Sequence, residues 1–205
     1  MIGKRSRLAL VGVLTLALGA FVGPGVAQAA KATETASGGT LPDAVTSGAQ
    51  TTAGEFVQTF RTSGKKVKKK QTLDVSLTVN ATDANGLGDV SAVLYRPKGE
   101  GVAVPIPGPP FPGGPTTLVN LKFRDQSNLV ACDPAFTIAS NCNYQSGGVY
   151  TGELGSGFNP TFRGLNPKGT WTLVWMDTGS GPPADVTTIG ESTLQVKTGK
   201  KFAKD

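Results

Sequence analysis

Hydrophobic and polar residues alternate along most of the chain between residues 55 and 198. The segment LDVSLTVNAT shows this best, because Leu73, Val75, Leu77, Val79 and Ala81 share one face and polar residues fill the other. A period of two is that of a half-buried β-strand. The same pattern predicts strands in DVSAVLYR, VAVPI, TTLVNLKFR, TWTLVWM and ESTLQVKT, which glycine- and proline-rich turns separate. No stretch has the period of a sustained amphipathic helix. The sequence therefore predicts an all-β fold, a two-sheet antiparallel β-sandwich.

The ends of the 205-residue chain differ from this middle part. Residues 1–29 combine a basic start, an apolar run broken by glycines and proline, and the small-residue sequence AQA, which is typical of a secretory signal peptide cleaved after Ala29. The apolar run is shorter than the roughly 20 residues of a membrane span. We expect a secreted protein without a transmembrane anchor after cleavage. Residues 30–54 are small, polar and aperiodic, which predicts a flexible leader. We expect the sandwich in residues 55–198 and a basic tail in residues 199–205.

Positive charge is concentrated in two lysine runs. The formal net charge is +6, and it becomes +3 when residues 1–29, with three basic and no acidic residues, are removed. The first run contains Lys65, Lys66, Lys68, Lys69 and Lys70, and the second contains Lys197, Lys200, Lys201 and Lys204. Such runs solvate strand edges and tails, but they also suit attachment to an anionic cell-wall polymer. The two runs would form one patch if the first and last strands lie together. Nucleic acid is not an expected partner, because no aromatic residues are interleaved with the lysines.

The cysteine and histidine content argues against catalysis and against zinc. Cys132 and Cys142 enclose a short loop and predict a structural disulfide in an exported protein. The chain contains no histidine, so it lacks the base of a Ser-His-Asp or Cys-His mechanism and most of the usual zinc ligands. Paired carboxylates would need two of Asp89, Asp125 and Asp177 at a fixed separation, and nothing in the sequence provides it. We predict that the protein is not an enzyme.

The stretch NPKGTWTLVWMD, residues 166–177, places a turn directly before a strand. Asparagine, proline and glycine stand where a type I turn favours them. Trp171, Leu173 and Trp175 share one face of the strand that follows. Core packing and a carbohydrate-stacking platform are the two interpretations, and the lack of flanking exposed aromatics favours the core.

Several segments in order resemble the P domain, or homo B domain, of proprotein convertases and bacterial subtilisin-like serine proteases. The most specific is FRGLNPKGTWTLVWMD followed by ESTLQV, and the resemblance covers about residues 71–198. The matching positions are Gly88 and Asp89 of the Gly-Asp-Leu turn, Leu94, Pro97 and Gly99 of the Leu-x-x-Pro-x-Gly hairpin, Phe123 and Asp125 of the Phe-Asp-Asp segment, and Gly169, Thr170, Trp171, Thr172, Leu173 and Asp177 of the final motif. Arg124 replaces the first aspartate of Phe-Asp-Asp, and the family's His-Thr before the first turn is missing.

The resemblance implies a sandwich of jelly-roll, galactose-binding-like type. It also implies a non-catalytic companion of a subtilisin-like protease, which it stabilises and whose calcium and pH dependence it influences. We expect a stand-alone accessory module that binds a separately encoded protease of this class. Attachment to an anionic envelope polymer through the lysine runs is the alternative, and a purely structural domain is a third.

Two further segments leave alternatives open. Asp83, Asn85 and Asp89 in DANGLGD supply oxygen ligands among glycines and suggest calcium, although the spacing is not that of an EF-hand and Asx-rich turns occur without metal. The tract VPIPGPPFPGGP, residues 104–115, suits a stiff surface loop or a polyproline ligand.

Overall fold

The computed structural model describes residues 31–63, 71–107, 114–124, 142–145, 148–156, 158–162, 167–179 and 186–200. For residues 71–73, 142–145, 155, 159–160 and 198–200 only the backbone is described. The predicted signal peptide, the first lysine run, the centre of the proline tract, Cys132 and Asp125 lie outside the described residues. The predicted disulfide can therefore not be placed. Strands dominate the described part, which confirms the all-β prediction.

The larger of two stacked sheets has eight strands. They are β1 (Lys31–Ala36), β2 (Gly39–Leu41), β6 (Gln71–Asp83), β9 (Thr116–Arg124), β10 (Cys142–Gln145), β11 (Val149–Gly155), β13 (Thr187–Ile189) and β14 (Ser192–Lys200). The main path runs β1-β14-β6-β9-β11-β10, and β13 pairs with both β6 and β2.

The smaller sheet has four strands in the order β5-β12-β7-β8. They are β5 (Gly54–Thr62), β7 (Val90–Tyr95), β8 (Gly101–Val104) and β12 (Gly169–Asp177). A separate hairpin consists of β3 (Val45–Ser47) and β4 (Gln50–Thr52), and one short helix, α1, spans Phe158–Phe162. All six strands expected from alternation are present, because their inward residues bury an apolar stripe.

One strand pair departs from the expected antiparallel arrangement. Strand β11 lies parallel to β9, with Val149 beside Thr117 and Leu154 beside Phe123. Parallel neighbours need a crossover of about a dozen residues or more. The long connection after Arg124, which includes β10, provides that length.

The interpretation of residues 30–54 as a flexible leader is wrong. Strand β1 pairs with β14 over six residue pairs, from Lys31 with Lys197 to Ala36 with Ser192, and β2 pairs with β13. Ala36, Leu41 and Ala44 are buried in the core. The segment has too few large side chains to show a period of its own, but its backbone completes the sheet and its few apolar residues suffice to anchor it.

The sandwich is therefore longer at both ends than 55–198. Its first strand begins at Lys31, and β14 continues to Lys200, where Lys200 pairs with Gln71. Residues 199 and 200 belong to a strand rather than to a basic tail, whereas 201–205 lie outside the described residues.

A single hydrophobic core fills the space between the sheets. Trp171, Leu173 and Trp175 from β12 are fully buried and join Val75, Leu77 and Val79 from β6 in it. The larger buried side chains set the distance between the layers, as expected for two sheets packed face to face. The core interpretation of the two tryptophans is confirmed. A stacking platform made of these rings is excluded because neither ring is exposed.

One buried glutamine links the two sheets. Gln58 of β5 is 2% exposed, and its Oε1 accepts hydrogen bonds from Trp175 Nε1 (2.9 Å) and Ser192 Oγ (2.8 Å). Its Nε2 donates to the carbonyls of Ser37 (3.0 Å) and Gly190 (3.1 Å), with Ala36 O at 3.4 Å. An indole N–H only donates and a carbonyl only accepts, so these partners determine the orientation of the amide. The network holds the N-terminal segment against both layers.

Candidate functional site

The motif strand β12 is the centre of the small sheet. It pairs with β5 along nine residues and with β7 along six. Pro167, in the turn before it, offers its carbonyl to Trp171 Nε1 (3.0 Å) and to the hydroxyl of Thr62. The Trp171 ring also packs edge-on against Phe162, with the ring centroids 5.1 Å apart. Asn166 lies outside the described residues, so the predicted type I turn is not tested.

Two of the segments that carry the P-domain resemblance meet at the start of β12. Gly169 has φ of +137°, and a Cβ on it would lie 2.7 Å from Cβ of Pro97 in the β7–β8 hairpin. That φ strongly favours glycine. Gly99 in the same hairpin leaves room for the guanidinium of Arg96. Pro97 and Gly169 therefore serve the close approach of hairpin and strand, whereas Gly99 serves the packing of Arg96 within the hairpin.

The end of β12 meets the turn that contains Gly88 and Asp89. Asp177 is 4% exposed, and its Oδ1 accepts the backbone N–H of Gly179 at 2.8 Å. Asp177 thus closes the turn at the end of the strand. Asp89 takes part differently, because its backbone carbonyl accepts from the Thr178 N–H at 3.2 Å and its carboxylate lies against Gly179. Gly88 is exposed in the bend.

The segment LKFRDQSN is described only as far as Arg124. Phe123 is fully buried in β9. Arg124, which replaces an aspartate of the P-domain pattern, forms an ion pair with Glu153 of β11 at 3.2 Å, and Lys122 pairs with the same glutamate at 3.4 Å. Both ion pairs link β9 to the parallel strand β11 on the outer face of the large sheet.

Two of the three candidate calcium residues, Asp83 and Asn85, form an Asx turn. Oδ1 of Asp83 accepts from the backbone N–H groups of Asn85 (2.7 Å) and Gly86 (2.8 Å), and Oδ2 accepts from the Thr187 hydroxyl. Asp83 is 2% exposed, whereas Asn85 is exposed. In the described part of the chain, no group of three or more His, Cys, Asp or Glu residues could hold a metal ion. Asp83 thus connects the loop after β6 to β13 through hydrogen bonds to protein groups.

The strand residue that follows the first lysine run lies beside a residue of the second run. Gln71, which follows Lys70 in the chain, pairs with Lys200, which precedes Lys201. Lys31 pairs with Lys197 on the other edge of β14. The condition that the first and last predicted strands, β6 and β14, lie together is met by this backbone register. Side chains of the first run and of Lys200 and Lys201 lie outside the described residues.

The outer face of the small sheet carries an apolar ridge, which the sequence interpretation missed. The backbone register places Val57, Val174, Val93 and Ala103 side by side across all four strands. Val57 is 44% exposed, and Tyr95 beside the ridge is 39% exposed. The alternation in GEFVQTFRT contained the signal, because Val57 shares a face with Glu55, Thr59 and Arg61 rather than with Phe56 and Phe60.

The outer face of the large sheet is polar by contrast. Thr35, Thr193, Thr78 and Lys122 stand side by side across β1, β14, β6 and β9. The small sheet therefore carries an apolar ridge among polar residues, whereas the row across the large sheet is polar. Of these two, the apolar ridge is the better candidate for a protein contact.

Comparison with known proteins finds no match: no family model, no curated protein and no solved structure matches the chain. Among the described residues, no helix is long and apolar enough to cross a membrane.

Proposed function

We propose that the chain is a secreted, non-catalytic P-domain-like module of jelly-roll type that acts as an accessory to a separately encoded subtilisin-like serine protease. One observation carries this proposal. The final motif contacts the two earlier motif segments, one at each end of β12: Gly169 approaches Pro97 at its start, and Thr178, after Asp177, bonds to Asp89 at its end. They meet around a strand whose tryptophans are used entirely for the core.

The absence of histidine from the whole sequence supports the non-catalytic part of the proposal. A subtilisin-like serine protease needs an imidazole base, so proteolysis of that type would require a partner. The buried motif residues provide the scaffold, and the exposed residues of the small sheet provide the contact. The apolar ridge through Val57, Val174, Val93 and Ala103 is the face we assign to the protease.

The test is a pull-down from the culture supernatant of the source organism with residues 30–205 as bait, read by mass spectrometry. Three baits are compared: the unaltered chain, Val174→Lys on the ridge, and Thr78→Lys on the polar face of the large sheet. We expect an identified subtilisin-like protease with the first and third baits and its loss with the second. If no such protease is enriched, the accessory function is wrong.

A second function is favoured by the register of β6 and β14. Gln71, the residue that follows Lys70 in the chain, pairs with Lys200, and charges that lie close together add. We infer that this end of the sandwich is suited to an anionic envelope polymer. Retention on isolated wall material should fall steeply by about 0.5 M salt, because exposed charges are screened over a few ångströms there. Retention that does not change with salt, or that survives replacement of Lys65–Lys70 by glutamine, would rule this function out.

A further inference from the structure

We propose that two copies of this chain associate through the edge of strand β5, which extends the small sheet of one copy into that of the other. This inference does not depend on the proposed protease or polymer. It rests on the difference between β5 and the other strands that end the two sheets.

The other edge strands carry features that oppose pairing with a further strand. β8 has four residues and is followed by Pro105 and Pro107. β10 has only four residues, and β2, which pairs only with β13, has three. β1 begins with Lys31, and its Glu34 lies on the same side as the buried Ala36. Short length, proline, lysine and inward-facing charge are the devices by which natural sheets prevent edge-to-edge association.

β5 has none of these features. It is nine residues long, contains neither proline nor lysine, and pairs with β12 without a register shift. No strand in the described ranges pairs with its opposite edge. Because one side of every edge strand presents unpaired N–H and C=O groups, β5 offers a long, regular template for another strand.

The sequence of β5 is complementary to itself in the antiparallel direction. Its central residue is Gln58, and full overlap of two copies about a two-fold axis at Gln58 places Gly54 opposite Thr62. The same register places Glu55 of each copy opposite Arg61 of the other, and Val57 opposite Thr59. Full overlap therefore produces two Glu55–Arg61 ion pairs without any adjustment of the register.

The four outward side chains are available for this contact. Glu55, Thr59 and Arg61 are exposed, and Val57 is 44% exposed. Within the described residues, neither Glu55 nor Arg61 forms an ion pair. Cross-strand pairs of opposite charge stabilise a sheet and like charges directly opposite destabilise it. A closed two-fold contact of this kind stops at two copies, because each copy has a single β5 edge.

The interface is one strand pair, so the association should be weak and dependent on concentration. Sedimentation equilibrium of residues 30–205, over loading concentrations from about 10 μM to about 1 mM, should show a monomer–dimer equilibrium at low salt. Glu55→Arg and Arg61→Glu should each raise the dimer dissociation constant by at least about tenfold, because each replaces two attractive pairs by two repulsive ones. Glu100→Arg, in the exposed β7–β8 turn, is the matched control and should change the dimer dissociation constant by less than about twofold.

Mixing the variants provides the decisive comparison. An equimolar mixture of Glu55→Arg and Arg61→Glu should form a heterodimer, since each copy then offers two like charges that are opposite to those of its partner. The double variant Glu55→Arg/Arg61→Glu should also regain association. The single variants change the net charge in opposite directions, so equal weakening by both cannot come from general repulsion. Melting temperatures within about 2 °C of the unaltered chain show that the variants are folded.

Three results would overturn the proposal. The first is a protein that stays monomeric at all of these concentrations, whether or not a strand from a different protein binds at β5. A dimer that both charge reversals leave unchanged must use another surface. Loss of association that neither the mixture nor the double variant restores would exclude the Glu55–Arg61 register.

Discussion

Replacement of Gln58 by leucine should remove a large part of the stability of the sandwich. Leucine has a similar volume but cannot donate or accept, so Trp175 Nε1 and Ser192 Oγ lose their acceptor. Trp175 and Ser192 are both fully buried, so water cannot replace the lost acceptor oxygen of Gln58. Each orphaned buried group costs about 1–3 kcal/mol, and the greater apolarity of leucine recovers about 1 kcal/mol. The carbonyls of Ser37 and Gly190 lie nearer to solvent and contribute less.

We therefore expect the free energy of unfolding to fall by about 3 kcal/mol and the melting temperature by about 6–12 °C. Urea denaturation followed by tryptophan fluorescence measures the first, and the indole of Trp175 is itself a reporter of the lost bond. Gln195→Leu, on the half-buried outer side of β14, is the matched control and should change stability by less than about 0.5 kcal/mol. A loss below about 1 kcal/mol at Gln58, or a loss equal to that of the control, would refute the argument that this glutamine joins the sheets.

Three further substitutions test other parts of the structure. Gly169→Ala should lower the free energy of unfolding by at least about 2 kcal/mol, because the residue has φ of +137° and its new Cβ would approach Pro97. The control Gly48→Ala, at φ of +64° in open space, should lower it by about 1 kcal/mol, and equal losses on thermal denaturation would contradict this. Asp83→Ala should lower the free energy of unfolding by about 2 kcal/mol, because the Asx turn loses its acceptor. The unaltered protein should melt at the same temperature in excess calcium and in chelator, and a shift with calcium would show that the Asx turn holds metal. Asn80→Ala should lower the free energy of unfolding by about 1–2 kcal/mol, because the Asn80 amide makes two hydrogen bonds of 2.8 Å to backbone groups. Because that amide is engaged in the fold, intact-mass analysis of the folded protein from a glycosylating host should show no glycan at the Asn-Ala-Thr sequon that begins at Asn80.

The contacts of Asn80 show why a local sequence pattern does not reveal the structural role of a single residue. Asn80 Oδ1 accepts the backbone N–H of Asn120, whose φ is +49°, at a point where the β6–β9 register shifts. Its Nδ2 donates to the carbonyl of Glu191. The sequence marks Asn80 only as a polar position of a strand. The bulge that it supports depends on two segments that are 40 and 111 residues away.

The N-terminal segment was misread for a related reason. Residues 31–53 contain few apolar side chains, so composition predicts no structure of their own. They become ordered because β14 and β13 present free edges with which β1 and β2 pair. Gln58 then binds the carbonyl of Ser37, which follows β1. Every residue except proline has one backbone donor and one backbone acceptor, and which strand edge lies nearby decides whether they are used in a sheet.

The sequence by itself determined the all-β class, the six strands with clear alternation and the buried face of β12. Those features follow from a period of two and from the apolar residues that each strand must remove from water. Only the tertiary structure decided the parallel β9–β11 pair, the inclusion of residues 31–53, the apolar ridge across the small sheet and the meeting of Gly169 with Pro97. Each of these depends on which strands become neighbours. That choice is made by the whole core and by the closing of backbone hydrogen bonds over long sequence separations, and no local pattern contains it.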